Sequence, residues 1–286
     1  MAEWSKSLPG INEIAGEKET PFVVDEEAIR RKHKKKVRFA RFTLCVLLVA
    51  GWEIATRLHV MDTFYWSSPS IIASTAWQKA TQGNLLADIA YTSGSTLLGF
   101  VLGTVTGSLI GLSFWWSRTY ADISEPFLIV LNALPKLALA PVLVILFGIG
   151  FASKVILAFS MTVVVSALAA FSGVKSVDPA METLMYSLGA SRMQVFTKVV
   201  IPWSMPWMIS SLRVNIALAL AGAIVGEFIV SNKGVGRMII YAGTTFDIKL
   251  VWVGVVVLSL LSILMYCGVV LLEKWLSNQL TIINHT

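Results

Sequence analysis

Apolar residues gather in long runs divided by short polar stretches, at a spacing that suits a lipid bilayer better than a soluble core. A helix needs ~20 mostly apolar residues to cross ~30 Å of hydrocarbon. Phe39 to Leu58 supplies the first such run, with Glu53 and Arg57 in its second half. Residues 59–88 are mixed: Trp66, Ser67, Ser68, Pro69 and Ser70 precede an amphipathic stretch with Trp77 and Lys79, a pattern for an interfacial segment. Ile89 to Ser117 is uncharged and predicts the second span, bounded at the interface by Trp115, Trp116 and Arg118. The third runs from Ile123 to Gly148 and contains Pro135 and Lys136; a tight turn over 148–153 leads to the fourth, Lys154 to Phe171. Residues 172–207 are too polar to span. Trp207 to Val230 and Leu250 to Leu272 predict the fifth and sixth, joined by a loop with Lys233, Gly234, Gly236, Arg237 and Asp247.

This pattern predicts an all-α polytopic membrane protein with about six transmembrane helices. Composition agrees: of 286 residues, 56% are hydrophobic and 14% charged, where a soluble domain carries about a quarter charged. The net charge of +6 could suggest a nucleic-acid partner, but eight of the 23 Lys and Arg fall between Arg30 and Arg41, directly before the first apolar run. Basic residues in that place serve the positive-inside rule and anionic lipid headgroups. No aromatic-studded basic face accompanies them, so nucleic acid is excluded as a partner and membrane lipid retained. With this block inside, six spans put both termini in the cytoplasm. Residues 1–38 then form a cytoplasmic tail ending in the basic block, with Pro9, Gly10, Gly16 and Pro21 breaking any long helix, and 276–286 a second tail. The apolar region begins too late for a signal peptide. Cys45 and Cys267 lie singly in apolar runs, and His33, His59 and His285 are scattered, so no metal site is expected.

In the second span Ser95, Gly99, Gly103, Gly107 and Gly111 recur every four residues. Such a stripe lets backbones approach closely where lipid provides no hydrophobic drive between helices. It serves tight packing, or a close-packed helix beside a pore that must rock.

The segment 172–207 is the most informative. Asp178-Pro179 fits a helix start, with Asp as N-cap and Pro at the first position, and Glu182 falls in the first turn. Gly189 ends that helix, Ser191 can cap the next, and Pro202 and Pro206 bend the chain back into the membrane. Two short helices meeting at an exposed corner are expected.

These residues resemble the inner-membrane permeases of binding-protein-dependent ABC importers, in the nitrate, sulfonate and taurine branch. That family's signature has Glu-Ala-Ala, three residues, Gly, nine residues, then Ile, one residue and Leu-Pro. Here Gly189 is followed at the right distance by Val199, Val200, Ile201 and Pro202. Thr183, Leu184 and Met185 stand where Glu-Ala-Ala would, with Glu182 one position early. Ser68-Pro69-Ser70, Leu134 to Leu139, Phe147 to Gly150, Ser187 to Ser191 and Gly226-Glu227-Phe228 also look like this branch, and the resemblance covers residues 65–275 after a first span in 39–64. It implies a type I ABC importer permease-like fold in a prokaryotic plasma membrane, a second permease copy as homodimer partner, cytoplasmic ATP-binding subunits and an external substrate-binding protein. It implies that Glu182, Thr183, Ser187, Leu188, Gly189, Ala190, Ser191, Arg192, Val199, Ile201 and Pro202 form the ATPase-coupling loop. Its implied solutes are small oxyanions, organic sulfonates or, in related members, thiamine-precursor pyrimidines.

Gly148 to Val155 superficially suggests a phosphate loop, but that motif needs Gly before the Lys and Ser or Thr after it. Ser153 and Val155 fail both tests. The chain is therefore read as non-enzymatic, with ATP and Mg on the partner subunit. Lys136, Arg213 and Glu227 fall in or at the edges of spans, where ionisable groups face a cavity or a partner. Arg213 is placed to snorkel. Lys136 and Glu227 are candidate pathway residues: Lys136 offers positive potential to an anionic solute, or is neutralised by Glu227 or carbonyls. A secondary transporter would show midplane ionisable clusters or an inverted repeat, and a scaffold would have no use for the Gly189–Pro202 loop.

Overall fold

A computed structural model describes residues 26–283. The chain divides into two compact units, residues 1–55 and 56–286. The first contributes helix α1 (Glu26–Arg57), which carries the basic block and an apolar span over Phe39–Arg57. The expected tail therefore becomes helical well before residue 39; its first 25 residues lie outside the described ones.

In the second unit, α2 (Thr63–Trp66) and α3 (Pro69–Gln82) occupy the expected interfacial stretch. Ser68 caps α3 through the Ile71 amide, with Pro69 at the first turn, where its missing N–H costs nothing. Trp66 stacks on Trp252, whose indole N–H donates to the Tyr65 carbonyl at 3.1 Å, pinning this stretch to the last helix. The long helices are α4 (Leu85–Ser113), α7 (Phe151–Lys175), α10 (Ile201–Ile229) and α12 (Ile248–Ile283). Most of the expected C-terminal tail is thus a continuation of α12.

The predicted third span is broken. α5 (Arg118–Ala133) is bent by 77° from the segment Lys136–Phe147, which opens as a short 3-10 turn over Lys136–Leu139 and continues as α6 (Ala140–Phe147). Pro135 drives Leu134 to an extended backbone (φ −61°, ψ 140°) and supplies no N–H of its own.

The glycine stripe of α4 lies against α7. A β-carbon on Gly99, Gly103, Gly107 or Gly111 would meet, in turn, Ala158, Thr162, Ser166 and Ala170. Both numbers rise together, so α4 and α7 run parallel. The chain leaving α4 must recross the bilayer before α7 can begin, so the bent α5–α6 pair counts as one crossing. With α1, α4, α7, α10 and α12 this makes six. The core where α4, α7, α10 and α12 meet holds Phe100, Ala158, Ile216, Ala219, Ala223 and Val269. Arg213, expected to snorkel, forms a two-pronged ion pair from α10 to Glu273 on α12, its Nη2 donating at 2.9 Å.

Candidate functional site

Two groups of residues at opposite ends of α4 carry chemistry beyond packing. At its C-terminal end, α7 gives way to α8 (Pro179–Ser187) and α9 (Arg192–Val195). Asp178 accepts from the Ala180 amide at 2.8 Å as the N-cap of α8, and Gly189 leaves α8 with φ +82°. Ser191 and Gln194 close a reciprocal capping box on α9. The corner between these helices is exposed, with Leu188 74% accessible. Met181, Leu184 and Met193 are exposed as well, so the elbow presents an apolar surface outside the span.

Beneath the elbow, Val177, Val195, Val199 and Val200 are buried against Trp115 and Phe196. Thr183 and Ser187 return their hydroxyls to backbone carbonyls of α8, and Ala190 only flanks the valine core. Glu182 accepts from the Trp115 indole N–H at 3.1 Å, and Arg192 lies over the rings of Trp115 and Trp116. The prolines act differently from expectation. A π-helical turn over Phe196–Val200 feeds α9 directly into α10, where Ile201 and Pro202 fall in the first turn and Pro206 inside the helix. The wide turn eases the ring–carbonyl conflict that Pro202 would impose, and Arg192–Ile229 continues as one span into the membrane.

At the other end of α4 lies a buried polar knot. Glu227 of α10, 1% exposed, accepts from the Thr92 hydroxyl at 2.8 Å and from the Gly236 amide at 2.8 Å. Asp88 accepts from the Gly234 amide at 2.7 Å, and Thr92 accepts from the Val235 amide at 3.0 Å. Three consecutive amides at the start of α11 (Val235–Thr244) thus end on side chains of α4 and α10, where the helix dipole favours negative charge. Gly234 has φ +112°, and a β-carbon there would strike the Glu227 carboxylate, so only glycine brings the loop this close. Lys154, fully buried, donates to the carbonyls of Ile149 at 2.8 Å and Val230 at 2.6 Å, and its charge acts on Glu227.

Lys136 and Glu227 are therefore not brought together. Lys136 sits at the α5–α6 bend, half-buried, donating to Asn132 at 3.3 Å. The buried cation that sequence reasoning missed is Lys154. Its place in a Gly-rich turn hid it, although a Lys beside the start of an apolar run signals a buried or snorkelling cation. Asp88 and Thr92 were equally legible as polar positions on an apolar helix.

An all-helical, six-span fold with an exposed two-helix elbow and no strand among the described residues defines a polytopic membrane protein. The family model for the binding-protein-dependent transport system inner membrane component matches residues 99–278, and the chain belongs to that family. It is 30% identical over 231 residues to the riboflavin transport system permease protein RibX of Chloroflexus aurantiacus, covering 81% of this chain and 86% of that one. It is 29% identical to the formylaminopyrimidine transport permease protein ThiX of Halalkalibacterium halodurans (80% and 91% covered). It is 28% identical to the taurine transport system permease protein TauC of Escherichia coli (85% and 90% covered). Among solved structures, the inward-facing MetNI methionine ABC transporter superposes with a TM-score of 0.57 at 16% identity, covering 68% of this chain and 95% of that one. The chain is the permease subunit of an ABC importer.

Proposed function

We propose that this permease forms the path for a small anionic solute of the nitrate, sulfonate or taurine kind, delivered by an external binding protein. ATP-binding subunits would move it through the 172–207 coupling loop and its elbow, with both chain termini on the cytoplasmic side. The exposed apolar corner carries the proposal: Leu188, Leu184 and Met193 form a patch outside the bilayer with no apolar cover in the monomer. An inserted elbow of this shape fits a groove on a motor subunit, and rigid-body switching of the bundle follows when that groove moves. A second permease copy would cover the α5–α6 face.

Gly189→Arg tests the elbow. A β-carbon at Gly189 meets nothing within 4 Å, so the fold tolerates the side chain apart from a left-handed strain of about 1–2 kcal/mol. Copurification of the ATP-binding subunit is expected to fall about tenfold, as for a truncated interface anchor. Undiminished copurification would remove the elbow as the docking point.

For the solute, the single cation at the α5–α6 bend supports an anion. Lys136→Met is expected to slow taurine uptake by reconstituted vesicles about tenfold, the equivalent of one lost charge contact. The similarity to RibX and ThiX favours a second reading, a heteroaromatic solute, for which the same substitution leaves uptake of a pyrimidine probe at the wild-type rate.

A further inference from the structure

The elbow is joined to α7 and α10 through the chain itself, whereas the end of α4 meets it across space, largely through side chains. Those side chains are two tryptophans in the 3-10 turn that ends α4, Phe114–Trp116. Trp115 donates its indole N–H to Glu182 of α8 at 3.1 Å. Its ring lies 5.4 Å from that of Phe196, the residue after α9, with 30° between their planes. Trp116 lies 5.4 Å from the same Phe196. The Arg192 guanidinium of α9 sits 5.4 Å from the Trp115 ring and 5.1 Å from that of Trp116, and donates to the Trp116 carbonyl. One pair of adjacent rings therefore holds both short helices, through a hydrogen bond to α8 and a cation–aromatic stack to α9.

Tryptophans at the end of a span ordinarily serve as interfacial anchors facing lipid headgroups. Trp115 does not fit that role, because Glu182, Arg192 and Phe196 surround it and the valine core of the elbow packs against it. α4 is in turn glycine-locked along its length to α7. A push on the elbow has two routes into the bundle: the backbone into α7 and α10, and this aromatic mount into α4.

We propose that Trp115 and Trp116 are positioning residues that transmit elbow movement to α4, with Glu182 and Arg192 as their clamps on the two helices. This rests on the reading of the elbow as the ATPase contact. It explains why Glu182 stands one place before the position that the family signature gives its glutamate: on α8 this register directs it to Trp115.

The test uses the whole transporter, reconstituted with the ATP-binding subunits that copurify with it and with its binding protein. Trp115→Ala and the exposed Trp116→Ala are each expected to keep the ATP-binding subunits bound and basal hydrolysis unchanged. Each should lower solute uptake per ATP hydrolysed about tenfold, within the usual span of coupling between sites. Trp115→Phe, which retains a ring for Arg192 and Phe196, should recover part of the loss. If Trp115→Ala does not fold, Trp116→Ala alone decides. A wild-type ratio of uptake to hydrolysis in the folded alanine variants overturns the mount. So does an equal fall in uptake and hydrolysis with the ratio unchanged, which marks the tryptophans as merely structural. Failure of the underlying reading appears separately, as ATP-binding subunits that stay bound in Gly189→Arg.

Discussion

Replacing Gly103 with leucine is expected to abolish a folded, monodisperse protein. A β-carbon at this position would collide with the Thr162 hydroxyl and stand 2.9 Å from the Phe159 carbonyl. Neither can retreat: Thr162 is buried and donates at 3.1 Å to the carbonyls of both Ala158 and Phe159, and the other contact is backbone. The two helices must separate, and the neighbouring contacts at Gly99 and Gly107 open with them. Overpacking of a close core costs about 1–3 kcal/mol at one site, and here several contacts are lost together. In lipid the pair is held by close van der Waals contact rather than by a hydrophobic drive, so helices forced apart keep little that holds them together. Fluorescence-detected gel filtration in mild detergent provides the measurement. Gly268→Leu is the control, because nothing lies within 4 Å of a β-carbon there. A Gly103→Leu peak as sharp and heat-resistant as that control would contradict this account of α4 and α7.

Lys154→Met should be the most damaging single change among the ionisable residues. The ammonium bridges the Ile149 and Val230 carbonyls, tying the start of α7 to the end of α10. Methionine fills the volume but leaves both carbonyls without that donor and removes the positive charge that acts on Glu227. Breaking a buried charged set by deleting one member costs about 3–5 kcal/mol. Adding Glu227→Gln should return part of that loss, because the neutral amide no longer needs a compensating charge and can still accept from Thr92. Thermal stability of the two single variants and the double variant, arranged as a cycle, gives the coupling directly. Strict additivity would mean that the two groups do not sense each other.

Much of this was readable from the residue string, for reasons that differ by element. The uncharged runs declared the spans because no other medium tolerates them. Asp178-Pro179, Gly189 and Ser191 marked the elbow because capping is a local matter of one side chain and one or two amides. The glycine stripe named a contact surface but not its partner, since α7 becomes the neighbour only through topology. The break in the third span was hidden by a mostly apolar composition; Pro135 marked it no more clearly than Pro126 and Pro141 beside it, and prolines are also absorbed into helices, as Pro126, Pro202 and Pro206 are. The knot around Glu227 depends on residues more than 130 positions apart in sequence, with Thr92 and Glu227 separated by 135, and no local pattern reports such a meeting.

The α5–α6 bend has a consequence for solvent. Where the helix stops at Ala133 and resumes as a short 3-10 turn, carbonyls of its last turn lose the amides that an unbroken helix would have offered. The hydrocarbon interior has no molecule that can take their place, and irregular backbone survives at such depth only beside protein or water. The flank of the molecule around Leu134 and Pro135 is therefore one that acyl chains must leave bare. Hydration, or a neighbouring subunit, has to reach that far into the membrane.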